Sequence, residues 1–114
     1  MSDRKTITEL VYEAHDNAVK HGWWEGGERS FGELIALCHS ELSEALEDHR
    51  NGWKPTETYI ENGGKPCGIG TELADVLIRI FDMCGHYKID LETAVRQKME
   101  YNKTRPYRHG NKII

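Results

Sequence analysis

Two pairs of carboxylates are the residues of this chain best spaced to do chemistry: Glu41-x-x-Glu44 and Glu72-x-x-Asp75. An i, i+3 spacing puts both members of a pair on one helix face. Each pair sits inside an apolar helical pattern, "LIALCHSELSEALEDH" and "TELADVLIRIFDMC". Carboxylates turned into a small helical core repel one another and each costs roughly several kcal/mol to desolvate. A cation held between them removes that cost. Ligands that are all oxygen favour a hard divalent ion, Mg²⁺ first, with Mn²⁺ as a substitute. Carboxylate-bridged iron bundles use Glu-x-x-His instead. None of His15, His21, His39, His49, His86 and His109 lies three residues after a Glu.

A helical wheel at about 100° per residue sorts the other charges. In the helix carrying the first pair, Glu41 falls between Leu34 and Leu37 on the apolar arc. Glu44 and Asp48 lie just beside that arc, whereas Glu33 and Glu47 face solvent. Asp48 is placed to support the ligands from behind more than to bind the ion. In the helix carrying the second pair, Glu72, Asp75, Arg79 and Met83 form one stripe, so Arg79 can neutralise part of the acidic cluster. Further on, Leu91, Val95, Lys98, Asn102 and Arg105 share a face. A Lys-Asn-Arg stripe opposite a metal cage fits a polyphosphate gripped from both sides. The bland alternative is that these charges form solvated faces and interhelical ion pairs. That suffices for a lone E-x-x-E, but less well for two pairs that both sit on apolar faces.

Four helices are needed to position these groups. The first spans about Ile7–Lys20, with a capping box Thr6-x-x-Glu9 at its start and Gly22 at its end. Ser30-x-x-Glu33 is a second capping box, opening a helix that ends near Arg50 at Asn51-Gly52. Residues 52–69 are rich in Pro and Gly and read as a long loop. The third helix spans about Gly70–Cys84 with Gly85 as its stop. It is apolar on most sides and should be the central one. Asp90 caps the fourth helix, which runs to about Thr104 ahead of Pro106. The basic tail "YRHGNKII" is irregular or docks on a partner subunit. No segment alternates with period two. The expected fold class is all-α, a four-helix bundle.

Composition narrows the function further. At 114 residues the chain makes one domain with one core, residues 1–114. A formal net charge of −4 supplies no broad basic surface, which argues against a duplex nucleic-acid partner. The N-terminus has no apolar signal core, and no apolar run approaches the ~20 residues of a membrane span. The three cysteines lack metal-site spacing. Cys38 and Cys84 read as buried thiols, and Cys67 as a loop thiol open to solvent. That pattern suits a reducing cytoplasm.

The ordered motifs resemble the MazG-like, all-α nucleoside triphosphate pyrophosphohydrolases. "SFGELIALCHSELSEALEDHRNG" looks like the family's first metal helix and "GIGTELADVLIRIFDMC" like its second. "KMEYNKTRPYRHG" resembles the Lys-x-x-x-Asn segment and tail that follow, and "HGWW" is also similar. The resemblance implies Mg²⁺-dependent hydrolysis of a nucleoside triphosphate to monophosphate and pyrophosphate. It implies Glu41, Glu44, Glu72 and Asp75 as metal ligands, with Glu41 or Glu44 as the catalytic base. Lys98 and Asn102 become phosphate or sugar contacts, and Arg105 joins Lys98 at the leaving pyrophosphate. A homodimer or homotetramer with helices shared between subunits is implied too. Trp24 is the candidate for stacking on the base. Trp23 and Trp53 would cover bundle ends or fill a subunit interface.

The expected role is house-cleaning of noncanonical or surplus nucleotides. A close alternative is a dedicated metabolic substrate, such as phosphoribosyl-ATP or one deoxynucleotide such as dCTP or dUTP. A catalytically silent nucleotide-binding bundle is the reading from a different class.

Overall fold

In the computed structural model, residues 4–27, 29–107 and 113 are described. Four helices account for most of them: α1 (Ile7–Lys20), α2 (Phe31–Arg50), α3 (Ile69–Tyr87) and α4 (Leu91–Asn102). Thr6 caps α1 with a complete capping box: its hydroxyl accepts from the Glu9 amide, and the Glu9 carboxylate accepts from the Thr6 amide. Ser30 caps α2 by accepting from the Glu33 amide, but here the Ser30 hydroxyl donates to the Glu33 carboxylate. Asp90 caps α4 through the Thr93 amide.

The connection after α2 is not bare loop. It contains a small antiparallel hairpin of β1 (Tyr59–Ile60) and β2 (Pro66–Cys67), with Tyr59 opposite Cys67. Two residues per strand are too few to show alternation. The hairpin covers Cys67, which is buried and not open to solvent as its loop position had implied. Cys84 is buried and Cys38 half-buried, and all three thiols are free. At Gly68, φ is +124°, and a Cβ would stand 2.6 Å from the Glu57 carbonyl oxygen, so only glycine closes this turn.

Helix α3 is the centre of the fold. It packs on α1 along one side and on α2 along another, while α4 packs chiefly on α1. Both neighbours of α3 run antiparallel to it: Glu41 of α2 meets Arg79 while the later Asp48 acts on the earlier Glu72, and Val11 of α1 lies by Gly85 while the later His15 meets the earlier Asp82. Gly85 does not stop α3, which continues two residues further to Tyr87. Its role is close approach, because a Cβ there would fall 2.6 Å from His15 Cβ. The helix ends instead at Lys88, in the left-handed conformation at φ 58°.

The core is thin. Its buried apolar residues are Val11, Leu34, Ala45, Cys67, Met83 and Cys84, and among the described residues no large side chain is wholly enclosed. Leu42, Leu46, Leu73, Leu77 and Ile78 on α2 and α3 are about half exposed. Among the described residues no helix is long and apolar enough to cross a membrane. The tail expected to dock on a partner lies largely outside the described residues.

Candidate metal centre and adjoining cavity

The antiparallel seam between α2 and α3 brings three of the four expected ligands together. One carboxylate oxygen from each of Glu41, Glu72 and Asp75 lies within 4.8 Å of the others, and all three residues are half-buried. Glu44 is not in this group. At i, i+3 it is rotated by about 60° from Glu41, and it stands exposed at the rim. Its charge still reaches Glu72.

The electrostatics of the group are those of burial and crowding. Burial first, then the charges of Asp75, Asp48, Glu44 and Glu41, push the Glu72 carboxyl above its ordinary value. Burial and then Glu41 do the same to Asp75, against partial relief from Arg79 and Lys65. Arg79 donates to Glu41 at 2.9 Å, so the expected neutralising partner is in place. Asp48 is not in the group of three, but its charge reaches Glu72. Its Oδ1 accepts from the Tyr59 hydroxyl at 3.2 Å, while its Oδ2 is buried with no partner among the described residues. Burial and the Asp48 carboxylate push the Tyr59 phenol up to about 12. Trp53 stacks on Tyr59 at 4.2 Å, which ties the loop after α2 to the hairpin.

These residues fit a hard divalent cation. The donors are all carboxylates, with no thiol or imidazole in the group. Burial and neighbouring carboxylates push two of them, Glu72 and Asp75, above their ordinary values, and a buried Asp48 oxygen has no partner among the described residues.

A cavity of about 330 Å³ opens beside the group, within the range of small-molecule sites. Glu41, Asp75 and Arg79 line it together with Asn17, Trp23 and Asp82. Trp23, not Trp24, is the tryptophan on its wall. The Arg29 and Arg79 guanidiniums lie over the Trp23 ring, 4.0 and 4.8 Å from its centroid. Trp24 stands behind the wall, stacked on His86 at 3.8 Å and donating to Asp82 Oδ1 at 3.0 Å.

The fourth helix is placed differently from expectation. Lys98 and Asn102 are exposed and Arg105 is half-buried. The Lys98 ammonium lies 4.9 Å from the centroid of the Tyr101 ring. With α4 on α1, this stripe does not pack against the acidic seam of its own chain.

Sequence reasoning passed over Asp82, Asn17, Arg29 and Tyr59, and weighed His15 for a Glu-x-x-His motif. Only Asp82 left a signal, as one acid inside the apolar run Ile80-Phe81-Asp82-Met83-Cys84. Tyr59 and Arg29 reach the site through loop geometry that periodicity cannot reveal. No protein-family model, curated protein or solved structure matches this chain.

Proposed function

We propose that this protein is a Mg²⁺-dependent nucleoside triphosphate pyrophosphohydrolase of MazG-like type, cleaving the α–β linkage to monophosphate and pyrophosphate. The observation that carries the reading is the Glu41–Glu72–Asp75 group opening onto a cavity walled by Trp23. A divalent ion there would neutralise charge developing on the phosphates and activate water for attack. Glu41, Glu72 and Asp75 would hold the cation. Arg79 fixes the Glu41 carboxylate, and Tyr59 fixes Asp48. Glu44, at the rim and outside the group, is the carboxylate left to accept a proton from the attacking water. Lys98, Asn102 and Arg105 grip the phosphates, and the two cations stabilise the leaving pyrophosphate.

Because α4 does not pack on its own acidic seam, the stripe meets the cage of a second subunit. A homo-oligomer also accounts for the apolar residues exposed on α2 and α3. We place the enzyme in the cytoplasm, on the strength of three free thiols, with nucleotides as its substrates and neither membrane nor nucleic acid as partner. House-cleaning of surplus or noncanonical nucleotides is the role this chemistry suits.

The test is a Mg²⁺-dependent hydrolysis panel of ribo- and deoxynucleoside triphosphates with products resolved by chromatography. Monophosphate plus pyrophosphate is expected, falling by at least about 10²-fold in Asp75→Asn, as for loss of a group that positions transition-state charge. Diphosphate plus phosphate, or turnover unaffected by Asp75→Asn, would refute the assignment.

A further inference from the structure

The cavity beside the acidic group has a third carboxylate besides Glu41 and Asp75, and it is not a candidate metal ligand. Asp82 is 7% exposed and lines the cavity wall. It lies seven residues beyond Asp75 on α3, a displacement of about 10 Å along the helix. The two carboxylates are therefore separated much as a nucleotide's phosphates are from the edge of its base.

Asp82 is held more firmly than any other acid on the cavity wall. Its Oδ1 receives both His15 Nδ1, at 2.8 Å, and Trp24 Nε1, at 3.0 Å. An ionised carboxylate only accepts, so His15 presents Nδ1–H to it. His86 stacked on Trp24 fixes the indole in turn. A carboxylate offers about four acceptor positions, and both of those used here are on one oxygen. Among the described residues no donor is bonded to Oδ2. An acid this buried, immobilised from behind and with acceptor capacity to spare on a cavity wall, is built to receive a donor from whatever fills that cavity.

Resting on the nucleotide reading above, we propose that Asp82 reads the base by accepting a hydrogen bond from an exocyclic amine. The cavity then takes amino-bearing bases, cytosine among the pyrimidines, and rejects uracil and thymine. Carboxylate side chains recognise the N4 amine of cytosine in this way. The 4-oxo group of uracil would instead set a carbonyl oxygen against a buried carboxylate and leave both unsatisfied. Sites built around a substrate donor discriminate strongly against the analogue that lacks it.

Cytosine and uracil nucleotides are nearly isosteric and differ at the reading position, so they form the test. The full chain is titrated calorimetrically with dCTP and with dUTP, using Ca²⁺ in place of Mg²⁺ to hold back hydrolysis. The expected result is tighter binding of dCTP by at least about tenfold. Asp82→Asn keeps an acceptor for His15 and Trp24 but offers an amide donor in place of Oδ2. It should collapse that ratio or invert it, which a purely structural role would not do. Equal affinities in the parent protein, or an unchanged ratio in Asp82→Asn, overturns the proposal. Should the variant not fold, the parent's ratio alone decides. Preference for dCTP with no pyrophosphate released in Mg²⁺ sustains Asp82 as the reader and sinks the reaction. If neither nucleotide binds, both fall.

Discussion

In Glu72 and Asp75, burial and neighbouring carboxylates raise the pKa, so the folded protein without metal holds protons that the unfolded chain releases. The sign of the linkage follows. Stability contributed by this pair is present at low pH and is lost as pH rises from the ordinary carboxylate range, near 4, through the raised folded values. Glu9 and Asp90 act in the opposite sense, because their hydrogen bonds to Thr6 and Thr93 lower their pKa. The pair is therefore isolated by comparing the parent with Glu72→Gln. In chelator at pH 7 the variant should melt roughly a few °C higher. That gain should shrink as pH falls towards 4. Added Mg²⁺ should raise the melting temperature of the parent much more than that of the variant. Thermal denaturation followed by circular dichroism reads all three. A variant that melts lower than the parent in chelator at pH 7 would mean that Glu72 is not crowded.

The elements themselves were largely legible because three of the four helices announce their starts. Thr6, Ser30 and Asp90 are caps in the sequence and caps in the structure. The end of α3 was not legible, because Gly85 has a tertiary duty that mimics a stop signal. Adding one carbon there drives Cβ into His15, the residue that braces Asp82. Gly85→Ala gains helix propensity, worth about 1 kcal/mol. It should nevertheless lower stability by about 1–3 kcal/mol, because the contact is with a β-carbon and not with a flexible tip. Urea unfolding measures this, and a stabilised variant would show that α1 can retreat without cost. The hairpin β1–β2 was missed for the reason of length, and with it the route by which Tyr59 reaches Asp48.

At the scale of the whole molecule, one chain carries more surface than a compact body of its mass. Its accessible area is 9065 Å², whereas a monomer of 13.1 kDa is expected to expose about 6,400 Å². Its radius of gyration is 16.7 Å, against about 13 Å for a compact domain of this length. The surplus includes Leu46 and Leu77, which are 56% and 50% exposed on α2 and α3. Light scattering should therefore report a mass at least about twice that of the chain, the smallest closed assembly. Glu substituted at both Leu46 and Leu77 should shift it towards the monomer. A monomeric parent at micromolar concentration would refute the oligomer, and with it the idea that α4 of one chain serves the cage of another.

The sequence by itself determined the helices and the pairing of Glu41 with Glu72 and Asp75. Local propensity, capping and apolar periodicity all act within a few residues, so each is written in the order of the chain. The wheel position sufficed for Arg79 because a helix converts spacing directly into direction. Only the tertiary structure decided that Glu44 stands at the rim and that Trp23 walls the cavity. It alone put Trp24, His15 and Asp82 into one network across α1, α3 and the loop between α1 and α2. Those relations depend on where separate elements cross and how closely they approach. Packing volume fixes both, and no short window of sequence contains it.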